Sequence, residues 1–216
     1  MRWMWIDRIV ALDRGRRCVA VKNVSLAEEH LHDHFPAEGE RPALPVMPAP
    51  LMIEGMAQTA GIMVGHARDF AEKVILAKIG KATFDRDIYP GQTIVYEAVA
   101  DRIDDAGAAT TGRVYLLDHS GNPRAEGGDS ASGKPRAERE DSESEKPRAE
   151  GERSEPEAPD SEAPPIPEFP HAAPMGRIDL MFSHIDRNMR GLGFPEHNFV
   201  FTDQFFDLLR NSGFAD

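Results

Sequence analysis

The longest apolar stretch of the chain, residues 50–69, constrains its fold more than any other feature. Apart from its last turn, this stretch contains a single charged residue, Glu54. Pro50 suits the first position of a helix, where its missing N–H would have no partner, and proline disfavours helical angles at the preceding Ala49. The spacing predicts a helix of about five turns that begins at Pro50. A helix that is apolar all round is a buried helix, so we expect it at the centre of the fold.

Three glycines, Gly55, Gly61 and Gly65, interrupt this helix, although each costs up to about 1 kcal/mol relative to alanine. They indicate close approach of a strand or of substrate. Packing is the simpler explanation for Gly61 and Gly65. We therefore expect neighbouring elements to contact the helix closely at these positions.

Glu54 is an unusual residue to find in such a helix, because burying a carboxylate is costly unless it is paired, neutral or useful. A carboxyl group that an apolar surround keeps neutral can act as a general acid near neutral pH. Gln58 lies four residues later and shares the same helix face. A purely structural carboxyl group, satisfied by a backbone or tyrosine partner, fits the spacing equally well.

His34 precedes an aromatic-proline pair in the polar loop before the helix. A loop histidine that titrates near neutral pH is a natural general base, although a lone one is more often a plain surface residue. His30, His32 and Asp33 stand just before it, but no later residues clearly complete a set of ligands. We therefore predict a polar loop beside an active histidine, and no metal site.

Strands are predicted on both sides of the helix. The segments that alternate or are rich in β-branched residues are 17–24, 73–81, 92–103, 108–118 and 176–185. Residues 3–12 fit a short helix or a strand equally well. The last strand is expected to pair with residues 108–118. One long helix with antiparallel strands around it is an α+β layer architecture.

The composition changes abruptly at Gly121. Residues 121–170 contain 7 Lys and Arg against 14 Asp and Glu, which places −7 of the chain's net charge of −12 in this segment. No Val, Ile, Leu, Met or aromatic residue occurs from residue 121 to 162, so the segment cannot bury enough apolar area to offset its ordering entropy. We predict a disordered, low-complexity acidic insert over residues 121–170, with an interaction tail as the alternative.

An aromatic-rich tail, residues 187–216, follows the last strand. Thr202 is a candidate cap for a short helix over residues 203–210. The apolar face of this helix must dock on the core or on a partner subunit, and it consists of Phe205, Phe206, Leu208 and Leu209.

The charge and the cysteine content argue against several classes of function. A net charge of −12 argues against nucleic acid or an anionic membrane as the main partner. The single cysteine, Cys18, permits no intramolecular disulfide, which fits a reducing compartment. The first ten residues do not read as a signal peptide, and no stretch approaches the roughly 20 apolar residues of a membrane span. We therefore expect a cytoplasmic protein.

The segment HFPAEGERPALPVMPAPLMIEGMAQ, residues 34–58, resembles the β-hydroxyacyl-acyl-carrier-protein dehydratases, whose pattern is H-F-P-G-x-P-x-x-P-G-x-L-x-x-E-x-x-A-Q. WIDRIVALDRGRRCVAVKNVS is similar to the opening strands of that family, and IGKATFDRDIYPGQTI to its later strand and turn. The resemblance covers about residues 5–118 and 176–185. It implies a hotdog fold, an antiparallel sheet wrapped around one long central helix. We assign residues 1–120 and 171–186 to this domain.

The resemblance also implies the roles of several residues. His34 would be the catalytic histidine and Glu54 the catalytic acid, contributed by opposite subunits of a homodimer that often assembles into a trimer of dimers. Ala49 stands where the family has a glycine whose N–H polarises the thioester carbonyl, and Ala37 replaces another glycine. This chain has six more residues between His34 and Glu54 than the family pattern. Gln58 would orient Glu54.

The expected activity is the dehydration of 3-hydroxyacyl thioesters to trans-2-enoyl thioesters, as in fatty acid biosynthesis. The substrate would be carried by acyl carrier protein or coenzyme A, whose phosphopantetheine removes the need for a separate cofactor. The candidate walls of the acyl tunnel are Phe35, Met47, Met52 and Met56. The cations that could grip the phosphate or an acidic carrier are Arg68, Lys78, Lys81 and Arg86.

Two other functions remain open at this point. A hotdog thioesterase would hydrolyse the same substrates with Glu54 and a water molecule. A non-catalytic acyl-binding or assembly subunit would use the insert and the tail as interaction surfaces. A binding module, however, needs neither His34 nor Glu54.

Overall fold

The fold is given by a computed structural model that describes residues 4–118, 174–185, 195 and 197–214. The strands in these residues are β1 (Arg8–Asp13), β2 (Arg17–Asn23), β3 (Val74–Phe84), β4 (Gln92–Asp104), β5 (Gly107–Asp118) and β6 (Gly176–His184). The helices are α1 (Glu29–His32), α2 (Ala49–His66) and α3 (Asp203–Ser212). None of the helices in this part of the chain is long and apolar enough to cross a membrane.

The six strands form one antiparallel sheet in the order β1-β2-β4-β5-β6-β3. The final strand, β6, lies between β5 and β3, with Ala108 opposite Phe182 on one side and Val74 opposite His184 on the other. The predicted pairing of the last strand with residues 108–118 is therefore confirmed. The predicted disordered insert, residues 121–170, lies outside the described residues.

Helix α2 packs against β2, β3, β4, β5 and β6, so the sheet curves around it. Alternate residues of the strands face the helix, since side chains on a strand point to opposite faces in turn. Tyr96 of β4 packs directly on Gly55, and Met56 packs on Gly112 of β5. This arrangement of one long helix within an antiparallel sheet is the expected α+β hotdog fold.

The start of α2 differs by one residue from the prediction. The helix begins at Ala49, and Pro50 occupies its second position. Pro48, with φ −63° and ψ 130°, is the residue that stops the helix from starting earlier. The restriction that Pro50 places on Ala49 is a steric preference and not a prohibition, and a proline in the first turn removes no hydrogen bond of the helix.

The helix also ends earlier than expected, at His66, because the chain then turns back on itself. Asp69 and Phe70 have positive φ angles of 51° and 56°, which is uncommon for residues other than glycine. The N–H of Phe70 donates to the carbonyl of Gly65. The turn directs the Phe70 ring back over the last turn of the helix.

The aromatic tail docks on the core of its own chain. The helix predicted at residues 203–210 is present as α3, and its inner face is buried through Phe205 and Leu209. Phe70 lies at the centre of this contact, with ring centroids 5.0 Å from Phe201 and 5.2 Å from Phe205. Thr202 occupies the position before the helix without a side-chain cap. The rings thus attach the tail to the end of α2.

Of the three glycines in α2, Gly55 and Gly65 are closely packed and Gly61 is not. A Cβ atom at Gly65 would clash with the ring of Phe201 and would lie 2.8 Å from that of Phe70. A Cβ atom at Gly61 would lie 3.7 Å from Phe182, an ordinary contact. Close approach therefore explains Gly65, as expected, whereas nothing among the described residues requires glycine at position 61.

These contacts give opposite predictions for two matched substitutions. We expect Gly65→Ala to lower the free energy of unfolding by about 1–3 kcal/mol, because the tail rings must move. Within a single chain, we expect Gly61→Ala to raise it by up to about 1 kcal/mol, because alanine favours the helix. Urea unfolding measures both changes, and limited proteolysis reports release of the tail. Equal effects of the two substitutions would contradict the assigned packing.

Candidate active site

His34 lies in the loop after α1, and its ring is held in one orientation. Its Nδ1 atom is 2.7 Å from the carbonyl oxygen of Leu31. Because a carbonyl oxygen only accepts, Nδ1 must carry the hydrogen of this bond. In the neutral ring the other nitrogen, Nε2, is then a free acceptor. Leu31 is buried, so the carbonyl that orients the ring is itself fixed.

The ring of His34 borders a shallow, open depression. The other residues that line this depression are Leu26, Ala27, Leu31 and His32. Glu54 is not among them, and His34 and Glu54 share no hydrogen bond or ion pair in the described part of the chain. Within the described part of one chain, His34 is accessible at this depression and has no direct contact of this kind with Glu54.

Glu54 lies in the second turn of α2 and is held by Gln58. Gln58 donates a hydrogen bond from Nε2 to Glu54 Oε1 at 3.0 Å. The amide oxygen of Gln58 accepts a hydrogen bond from the backbone N–H of Trp5 at 2.8 Å. Since the Trp5 N–H can only donate, it fixes which end of the Gln58 amide faces Glu54. The structure thus contains the contact that the helical spacing predicts.

The expectation that α2 is buried on all sides is wrong for a single chain. Glu54 is only partly buried, and so are Leu51, Ile53, Gln58 and Gly61. The physical reason is that the curved sheet covers one side of the helix fully and leaves this side only partly covered. The apolar residues on the partly covered side are the ones expected at a contact with another chain.

Ala49 occupies the first position of α2, and its φ angle is not positive. Glycine is therefore not required there by the backbone, and the replacement of the family's glycine leaves the N–H in place. This N–H belongs to the first turn, whose amides have no acceptor within the helix, and it lies at the positive end of the helix dipole. Ala37 does not have a positive φ either.

The longer segment between His34 and Glu54 forms a small hairpin of its own. Phe35 and Leu44 form an antiparallel bridge at its base, and Glu38 pairs with Arg41 near its tip. The positive φ angle in this loop, 60°, belongs to Gly39. Because the two ends of the hairpin meet, the extra residues project outward and need not separate the histidine loop from α2.

The four predicted wall residues are in two different environments. Met47, Met52 and Met56 are buried in the core beside α2. Phe35 is 68 % exposed at the base of the hairpin, so within one chain it does not face the same interior. Their role as walls of an acyl tunnel stays a prediction.

The histidines that precede His34 have separate surroundings. The His30 ring packs edge-on against Trp5 and lies 3.2 Å from the sulfur of Met47. Burial among these groups lowers the pKa of His30. His32 is exposed at the depression. In the described part of the chain, no three His, Cys, Asp or Glu side chains are placed to hold a metal ion.

The predicted cations are spread over two parts of the surface. Arg68 forms an ion pair with Asp105 at 2.9 Å. Lys78 and Lys81 are exposed on β3, and Arg86 is exposed in the following turn. Binding of a phosphate or of an acidic carrier by these residues stays a prediction.

Sequence reasoning missed two groups that orient the predicted catalytic side chains. These are the backbone N–H of Trp5 and the backbone carbonyl of Leu31. Backbone groups occur at every residue, so no residue type identifies them in advance. A third missed feature, the buried charge of Lys22, did leave a signal: it continues the alternation of helix-facing residues after Cys18 and Ala20.

Comparison with known proteins identifies the family. The model of the FabA-like domain matches residues 2–117, more than half of the chain. The 3-hydroxyacyl-[acyl-carrier-protein] dehydratase FabZ of Fusobacterium nucleatum is 35 % identical over 118 residues, which cover 54 % of this chain and 78 % of that protein. FabZ of Caldanaerobacter subterraneus is 35 % identical over 102 residues, 47 % of this chain and 68 % of that protein. The chain therefore belongs to the FabA-like family of hotdog dehydratases.

Proposed function

We propose that this protein removes water from 3-hydroxyacyl thioesters to give trans-2-enoyl thioesters. The single observation that carries the proposal is the bond between His34 and Leu31, which leaves Nε2 of an accessible histidine free to accept a proton. The relatives reported above are named for substrates on acyl carrier protein, so we propose that carrier here. Both catalytic groups lie within the matched family domain.

In the proposed reaction, His34 and Glu54 act as base and acid. Nε2 of His34 takes the proton from C2, and the carboxyl group of Glu54, in its protonated form, gives its proton to the C3 hydroxyl, which leaves as water. The electron pair of the C2–H bond becomes the C2–C3 double bond. Gln58 donates to Oε1 of Glu54, which leaves Oε2 as the oxygen that carries the reacting proton. Solvent exchange returns both groups to their starting states.

The start of α2 would stabilise the charge that develops on the thioester carbonyl. The N–H of Ala49 lies in the first turn of that helix, where N–H groups and the helix dipole favour negative charge. A donor placed in advance at such a position lowers the barrier without reorganising during the reaction. Glu54 follows on the same helix, little more than one turn later.

Two subunits would complete this site. His34 and Glu54 share no hydrogen bond or ion pair within the described part of one chain, and Glu54 lies on a side of α2 that its own sheet covers only in part. We therefore propose a homodimer in which His34 of one subunit works with Glu54 of the other. Assembly of such dimers into a trimer of dimers stays a prediction.

The proposed roles predict the behaviour of two variants. We expect His34→Ala and Glu54→Gln each to lower kcat on a 3-hydroxyacyl-carrier-protein by about 10²–10⁴-fold, since each removes one proton-transfer group. Formation of the conjugated enoyl thioester, followed by its absorbance and by mass spectrometry, measures the rate. Equal rates for the wild type and both variants would exclude the proposal.

The same assay separates the alternatives. Release of free thiol without an enoyl product would indicate a thioesterase. Tight binding of the acyl carrier without any turnover by the wild type would indicate a binding subunit.

Mixing the two inactive variants tests whether the site is shared. Mixed dimers of His34→Ala and Glu54→Gln carry one intact site, built from the histidine of one subunit and the acid of the other. We expect an equal mixture, after subunit exchange, to recover about a quarter of the wild-type activity. No recovery in a mixture that mass spectrometry shows to contain mixed dimers would place both groups in one chain.

A proline at position 49 tests the proposed carbonyl donor. Ala49→Pro removes one N–H at a helix position that proline tolerates, next to Pro48, which already has an extended ψ of 130°. We expect kcat to fall by about 10²–10³-fold with little loss of stability. Ala49→Gly, which keeps the N–H, is the matched control and should retain activity. Full activity of the proline variant would exclude this N–H as the donor.

A further inference from the structure

A buried ion pair anchors the short helix that precedes His34. Lys22, near the end of β2, has a side chain that is only 8 % exposed. Its ammonium group donates to Glu28 Oε1 at 2.6 Å and to the carbonyl of Asn23 at 2.8 Å, and Asp7 Oδ1 lies 3.5 Å away. Glu28 directly precedes α1. The pair therefore joins the end of a central strand to the start of α1.

The pair is connected to His34 through a short series of hydrogen bonds. The carbonyl of Glu28 accepts the N–H groups of Leu31 and His32 at 2.9 and 3.2 Å, which closes the single turn of α1. The carbonyl of Leu31 then accepts Nδ1–H of His34. A helix of one turn is not stable alone, because its nucleation cost is not repaid. Its position must come from its contacts with the rest of the chain, which include the buried Leu31 side chain, the Glu28 carboxylate and the His30 ring.

The position of Lys22 is costly for a charged residue. It lies in the alternating series with Cys18 and Ala20, which face α2, so an apolar side chain would pack there without desolvation. A buried ion pair contributes little net stability, since desolvation of the two charges offsets their attraction. What such a pair can supply is direction, because the contact at 2.6 Å ties the carboxylate that precedes α1 to a buried group of β2.

Glu28 also contacts a second element of the site. Its other oxygen, Oε2, lies 3.5 Å from Nε2 of His30. His30 packs against Trp5, whose N–H orients Gln58. The carboxylate of Glu28 thus lies between the group that holds α1 to the sheet and the groups that hold Glu54.

We propose that Lys22 and Glu28 are positioning residues for His34. Their ion pair fixes the turn that presents the Leu31 carbonyl, and this keeps His34 in the tautomer whose Nε2 is free to act as a base. The catalytic consequence rests on the proposed function. The tautomer itself is a property of the protein without substrate, so it can be tested separately.

The test uses Lys22→Met, Glu28→Gln and the double variant. In the wild type, ¹⁵N NMR of the imidazole, assigned with the help of His34→Gln, should show neutral His34 protonated at Nδ1. We expect each single variant to give a mixture of tautomers. We also expect kcat to fall by about 10–100-fold while KM changes less than about threefold, since the base is misplaced but the substrate contacts remain.

The double variant separates positioning from stability. Each single variant leaves one charge of the pair without its main partner and should unfold more easily, whereas the double variant removes both charges and should regain stability. We expect the double variant to keep the mixed tautomer and the low kcat. If the double variant regained the single tautomer and the wild-type kcat together with its stability, the proposal would be overturned. The pair would then have a purely structural role.

A matched control comes from the same strand. Arg17 and Glu97 form a partly buried ion pair at 2.7 Å, and neither is bonded to α1 or His34. Arg17→Met should lower stability without changing the tautomer of His34.

If Lys22→Met also left the tautomer unchanged, the proposal would fail even in an active enzyme. If the wild type showed the expected tautomer and no dehydration, the proposed function would fail, and the NMR comparison would still decide the role of Lys22 and Glu28.

Discussion

The close packing of Gly55 on Tyr96 sets the arrangement of the rest of the domain. The ring of Tyr96 is so near that a Cβ atom at Gly55 would lie 2.6 Å from it. The Tyr96 hydroxyl has no hydrogen-bond partner in the described part of the chain, so packing alone holds this contact. With Gly55 turned to the sheet, the neighbouring Glu54 falls on the partly covered side of α2. The same contact that buries the helix thus keeps its acid out of the core.

The number of residues between His34 and Glu54 in the sequence says little about the distance between their side chains in the structure. The extra residues form a hairpin that is closed at its base by a hydrogen bond from Leu44 to Phe35. The chain is then fixed again before α2, where Met47 donates to the carbonyl of Ile88. Lengthening a surface loop costs little once its ends are held. An insertion between the two proposed catalytic residues is therefore compatible with an unchanged site.

The sequence predicts most of the fold because the central helix and the alternating strands have strong, regular patterns. It predicts less where backbone partners decide the outcome. Residues 3–12 fit two structures equally, and β1 forms because β2 offers it an antiparallel edge from Arg8 to Asp13. The coverage of Glu54 was misjudged because an apolar helix pattern does not distinguish its own sheet from a second chain. The tail helix was predictable, but its docking depends on the positive φ angles of Asp69 and Phe70, which no sequence pattern signals.

The groups that orient His34 and those that orient Glu54 meet in one cluster. On one side, Glu28 and α1 hold the carbonyl that fixes the histidine. On the other side, Trp5 fixes Gln58, which holds the acid. The two sets join where the His30 ring packs on Trp5 with centroids 5.2 Å apart. In the proposed dimer, His34 and Glu54 of one chain belong to two different active sites. Each chain therefore needs a shared support that holds both side chains in place at the same time.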